Sequence, residues 1–130
     1  MKTENKFEKL ILQIIRQTTE GNIDWEKLNP PRAISVGTED IVEDYFETEY
    51  KDQTIAVFER RYREYDPEHD VMFWTSRDCF AFISGSNSPV RDNRIVSWET
   101  SDHPSALSSL IKVAKESAAD VDGIVDKLLN

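Results

Sequence analysis

The chain is poor in cysteine. Cys79 is the only one in 130 residues, so no internal disulfide staples the fold. Its place in an apolar run reads as a reduced, packed side chain, which fits a cytoplasmic protein. Long hydrophobic runs are also missing. Charge interrupts every apolar stretch well short of the roughly 20 residues that a spanning helix needs, and no small-residue cleavage site follows Lys2, so neither a membrane nor secretion is expected. Positive charge is scarce: 16 Lys and Arg face 25 Asp and Glu, a formal charge of -9. A field of that sign repels phosphate, which excludes duplex nucleic acid as the default partner. Histidine is scarcer still. His69 and His103 stand far apart, and with one cysteine there is no HxxH, CxxC or HExxH spacing, so neither a metal nor a cofactor is expected. The stretch Ser84 to Ser88 has one glycine and no following Lys-Ser or Lys-Thr, so it is not a phosphate loop.

Hydrophobic residues make up 38% against 32% charged, enough for one thin core, so residues 1–130 are taken as a single domain. Phe7, Leu10, Ile11, Ile14 and Ile15 recur at helical spacing and predict a helix from Thr3, its cap, to Glu20, with Gly21 as the left-handed exit. Ile23, Trp25 and Leu28 follow in a short extended segment that lays Trp25 over the helix end. Pro30 and Pro31 then forbid regular structure.

Beyond Ile41 the residues turn β-branched and aromatic. Tyr45 to Tyr50 and Thr54 to Tyr65 read as strands joined by Lys51-Asp52-Gln53, with a second turn from Tyr65 to Asp70 in which Asp66 bonds the backbone ahead of it. The run from Val71 to Ser84 is one bent strand or two short ones divided at Ser76-Arg77-Asp78. Gly85 to Asn93 is loop by composition. Ile95 to Glu99 forms the last strand, with Val96 and Trp98 on one face.

Pro104, after a cap at Ser101 or Asp102, opens a helix with the stripe Leu107, Leu110, Ile111, Ala114 and Ala118. Asp120 caps a third, Val121 to Leu129, with Val121, Ile124, Val125 and Leu128 apolar. Gly123 weakens a merger of the two by about 1 kcal/mol without forbidding it. Helices at the two chain ends flank four or five antiparallel strands. The expected fold is therefore an α+β two-layer sandwich with the helices on one face, Leu10, Ile14, Leu110 and Leu128 buried there, and the other face open.

Two side-chain arrays stand out. Glu39, Asp40, Glu43, Asp44, Glu47 and Glu49 form a run with no basic residue between Arg32 and Lys51, which reads as a solvated sheet edge or as a patch that meets a basic partner. Arg60, Arg61, Arg63, Tyr62 and Tyr65 form a basic aromatic cluster in which Arg61, Arg63 and Tyr65 share one strand face and Arg60 and Tyr62 the other. These either pair across strands, with Glu47 and Glu49 opposite Arg and Tyr, or hold a small molecule or nucleotide. Asp66, Glu68, His69 and Asp70 crowd a hairpin tip without the alternation and glycine of a calcium loop.

The ends of the chain carry a resemblance. Phe7-Glu8-Lys9-Leu10 leading to Thr18-Thr19-Glu20-Gly21-Asn22-Ile23-Asp24-Trp25-Glu26 is similar to the opening of a group of small, mostly uncharacterised prokaryotic αβ proteins. Leu107-Ser108-Ser109-Leu110, Ala114-Lys115-Glu116-Ser117-Ala118 and the tail Val121 to Leu129 resemble its closing helices. That group has no assigned activity, so the resemblance implies the same fold and no catalytic residue. The function expected is a non-enzymatic, acidic protein-interaction domain, in its narrower form an inhibitor or immunity-type protein that covers a basic surface. The alternative is a ligand sensor using Arg61, Arg63 and Tyr65.

Overall fold

A computed structural model describes the backbone of residues 3–85 and 94–130, with side chains from residue 6 onward in those ranges. The side chain of Thr3, the expected cap, and residues 86–93 of the loop expected from Gly85 to Asn93 lie outside the described residues.

Helix α1 spans Thr3–Thr19 and buries Ile11 and Ile14 completely, with Phe7 beside them and Leu10 and Ile15 at the margin. It ends as the glycine requires. Gly21 has φ +82°, and the amides of Asn22 and Gly21 donate to the carbonyls of Gln17 and Thr18, the paired bonds of a left-handed helix exit. Trp25 does lie over this end. Its indole Nε1 donates to Thr18 Oγ1 at 3.0 Å while its amide donates to Ser117 Oγ at 3.0 Å, so one residue ties the first helix to the second.

Five antiparallel strands follow in sequence order as a meander: β1 (Glu26–Lys27), β2 (Ile41–Tyr50), β3 (Gln53–Asp66), β4 (Val71–Ser84) and β5 (Ile95–Thr100). The β2–β3 turn is the two residues Lys51 and Asp52, both at positive φ, as a tight hairpin demands. Gln53 already pairs with Tyr50. Strand β4 is one strand, because Ser76, Arg77 and Asp78 pair with Arg61, Arg60 and Glu59 without a break.

Helix α2 (Pro104–Ala118) lies with α1 on one sheet face, where Leu107, Leu110 and Ala114 close over Phe46, Ile55, Val57 and Phe80. The α+β sandwich is thus as the patterning indicates, and five details differ. Trp98 and Val96 lie on opposite faces: an extra residue in β5 pairs Phe82 with Trp98 but Ile83 with Val96. Trp98 therefore stacks on Phe82 at 5.4 Å on the helix side while Val96 joins the other face. The residue preceding α2 is His103 at φ +60°, not Ser101 or Asp102; the Asp102 amide is occupied by Thr100 Oγ1 at 3.1 Å.

Helix α3 (Val121–Leu129) is a separate helix that starts after Asp120, which has φ +51° and supplies no side-chain cap. It buries none of its side chains among the described residues, and Leu128 is 80% exposed rather than packed on the sheet. Nor is the second sheet face fully open. The short 3-10 turn Arg32–Ile34 brings Ile34 onto Tyr45, Phe58, Cys79, Ala81 and Ile83, a second, smaller core. Among the described residues no helix is long and apolar enough to cross a membrane.

Candidate functional site

The acidic run does not form one edge. Strand β2 pairs with β1 on one side and β3 on the other, and an extra residue between Glu43 and Phe46, where Asp44 has φ +48°, reverses the side-chain parity of the strand. Glu43 therefore faces the helix layer, while Glu47 and Glu49 face away from it. Five of the six carboxylates are held by cations. Glu39 accepts from Arg63 at 3.1 Å, Asp40 from Arg60 at 2.9 Å and Glu43 from Arg61 at 3.4 Å, and Asp44 lies 3.7 Å from Lys115 Nζ. Glu47 is buried, bonded by Arg94 and by the Tyr45 hydroxyl at 2.5 Å, so it is withdrawn from the surface on which it was expected. Glu49 remains exposed.

Cross-strand pairing of the arginines is present with other partners than those expected. Ala56 and Thr54 stand opposite Glu47 and Glu49, because the two-residue turn and the bulge place the arginines further along, beside Ile41 and Val42. Arg60 is buried and joins three segments: it donates to the Ile34 carbonyl, to Asp40 and, at 2.7 Å, to Glu99. Burial disfavours its charge, but the bonds to Glu99 and Asp40 more than offset this and hold its pKa above the ordinary value. Arg60 is a structural hub.

Arg61 and Arg63 belong to a different setting. Past the last β2 partner, Ile41 opposite Arg61, strands β3 and β4 pair only with each other among the described residues and form a two-stranded arm that ends at Asp66 and Val71. Its helix-side face carries Arg61, Arg63 and Tyr65 on β3 and, across from them, Ser76, Trp74 and Met72 on β4. Both guanidinium groups lie over the Trp74 ring, at 5.9 and 6.0 Å from its centroid. On the opposite face Arg77 covers Tyr62 at 4.9 Å. Val71, Met72, Phe73, Trp74 and Tyr65 are each 42–53% exposed, an apolar density unusual for a solvated hairpin. The arginines and tyrosines stand out in the sequence, whereas Val71 to Trp74 enter it only as the start of a strand. Strand alternation beyond Asp70 was the available signal, since it places Met72 and Trp74 together.

At the tip, Asp66 accepts from the amides of Glu68 and His69 and meets His69 Nδ1 at 2.8 Å, which lowers its pKa chiefly through the His69 bond. The donor atoms of Asp66, Glu68 and His69 lie within 4.8 Å of one another at this exposed turn. Tyr65 donates to Asp70 at 2.5 Å, and that bond raises the phenol pKa. Cys79 is fully buried in the second core, where burial pushes the thiol pKa up. A cleft of about 250 Å³ between the end of α1 and the start of α3 is lined by Thr18, Asp24, Glu116, Ser117, Asp120 and Asp122.

Comparison of the chain with protein-family models, with curated proteins and with solved structures finds no match.

Proposed function

We propose that this protein is a non-enzymatic, cytoplasmic protein-interaction domain and that the β3–β4 arm is its binding surface. The observation that carries the reading is the exposure of five large apolar side chains on an arm that the domain core does not need. Clusters of this kind, with aromatic anchors and arginine at their centre, are the usual composition of interface hot spots. Arg61 and Arg63 stand half in water over Trp74 with their charges met by Glu43 and Glu39, so what the arm presents there is chiefly aromatic and apolar.

A second reading places the partner on the acidic segment, in the manner of an inhibitor or immunity protein covering a basic surface. The charge of -9 and the exposure of Glu39, Glu43 and Glu49 favour it. A photo-crosslinking residue at Met72 or at Glu43, exposed to native lysate, separates the two. Adducts from Met72 and none from Glu43 are expected; adducts from Glu43 alone would move the site to the acidic segment, and none from either would overturn both.

A further inference from the structure

Three adjacent strands carry a carboxylate, a guanidinium and an indole in succession. Glu43 on β2, Arg61 on β3 and Trp74 on β4 all face the helix side. Arg61 donates to Glu43 at 3.4 Å while its guanidinium carbon lies 5.9 Å from the centre of the Trp74 ring. Arg63 repeats the arrangement one step outward. It stands directly opposite Trp74, lies 6.0 Å from the same ring centre and donates to Glu39 at 3.1 Å.

The strand register explains why both arginines reach one indole. Arg61 is paired across the strands with Ser76, whose short side chain leaves the diagonal toward Trp74 clear, and long side chains reach diagonal neighbours. The bulge at Asp44 decides the other end. Without its extra residue, the parity that turns Glu47 away from the helix layer would turn Glu43 away as well.

The carboxylates fix where the guanidinium groups rest, and cation–π attraction places that rest on the indole. Both ion pairs are open to water. The side chains are 42% and 46% exposed in the Arg61–Glu43 pair, 38% and 74% in the Arg63–Glu39 pair. Contacts of this kind are weak singly and are screened by salt, so they release without unfolding the sheet beneath them.

We infer that Glu39 and Glu43 form an ionic clasp that holds Arg61 and Arg63 on Trp74 in the free protein, a strap that salt or a competing carboxylate loosens. The ring is 45% exposed with the strap in place, so the strap narrows access to Trp74 and does not seal it. Control of binding by the clasp rests on the reading of the arm as the binding surface; the clasp itself does not.

Acrylamide quenching of Trp74 fluorescence tests the clasp, in a Trp98→Phe background that leaves Trp25, 3% exposed, as the only other indole. Acrylamide is uncharged, so salt acts on the clasp and not on the quencher. From about 0.02 to 1 M NaCl, over which the Debye length contracts to about 3 Å, the quenching constant should rise. With Glu39→Gln and Glu43→Gln added, and circular dichroism confirming the fold, the constant should be high already in low salt and should not respond to more. The gain is bounded at about fivefold, the population ratio that one exposed ion pair holds. A low-salt constant equal to the parent's, or an equal salt response in the two proteins, would overturn the clasp.

The Met72 crosslinker separates the clasp from the binding surface. At low salt the doubly substituted protein should give more adduct than the parent. Equal yields would overturn control of binding by the clasp even where quenching responds. If Met72 captures nothing in either protein, the arm is not the binding surface and that control falls with it, while the quenching result decides the clasp by itself.

Discussion

Glu47 and Arg94, 47 positions apart in the chain, form an ion pair on the second sheet face with each side chain less than a tenth exposed. A pair held out of water is costly to split, because the survivor keeps its desolvation penalty and loses its partner. Arg94→Leu is expected to cost about 3–5 kcal/mol in urea denaturation, with Glu47→Leu added to it recovering much of the loss. A single variant that unfolds at the parent midpoint would contradict the pairing.

Leu110 and Leu128 occupy comparable places in their helical stripes and opposite places in the fold. Leu110 has no exposed surface and Leu128 is 80% exposed. Leu110→Ala should destabilise by about 2–5 kcal/mol. Leu128→Ala should change stability by less than about 0.5 kcal/mol. Both are read from denaturation midpoints at the lowest protein concentration that spectroscopy permits, so that self-association does not contribute.

Glu59 lies across the strands from Glu43 on one side and Asp78 on the other. Partial burial, then repulsion from Glu43 and Asp78, raises its pKa. The folded state therefore binds this proton more tightly than the unfolded state. Its contribution is least unfavourable below the unfolded pKa, and stability declines as pH rises through the window up to the raised value. Glu59→Gln should remove that decline and stabilise the protein at neutral pH by the size of one cross-strand pair, about 0.2–1 kcal/mol. Unfolding of parent and variant between pH 4 and pH 7 decides it; equal slopes would reject the assignment.

Cys79 is fully buried and its thiol is the harder to ionise for it. A water-soluble thiol reagent should leave the native protein unmodified over a period that labels a free thiol completely. Labelling should appear in urea in step with unfolding. Prompt stoichiometric labelling without denaturant would place the thiol at the surface.

Local patterns were the legible part of this fold. The helical spacing of Phe7, Ile11 and Ile14, and of Leu107, Leu110 and Ala114, led to the buried faces of α1 and α2. The positions of Gly21, Pro104 and the Lys51-Asp52 turn marked element ends. Single-residue insertions were illegible: the bulge at Asp44 and the one between Trp98 and Val96 each reverse which face the neighbouring side chains take, and nothing in the alternation announces them. Long-range pairing was equally silent. Glu47 looks like one member of an acidic run until Arg94 is brought to it, and Ile34 looks like a loop residue until it covers Phe58 and Cys79. In the candidate site the arginines were visible by composition. The exposure of Trp74 was not, because a run of four apolar residues reads as core wherever the flanking strands are unknown.

The long β3–β4 hairpin has two mechanical regimes. At its base, Val57, Phe58, Cys79 and Phe80 are locked between flanking strands and have no exposed surface. From Tyr62 to Asp66 and from Val71 to Thr75 it is a bare two-stranded ribbon, a unit that is marginal by itself in water. Amide hydrogens along it should exchange on a gradient, slow as global unfolding at the base and fast at the outer rungs. Anything that seats on Trp74 and Met72 supplies the missing layer there, so occupancy and stiffening of the ribbon become the same event, visible as protection spreading outward toward Asp66.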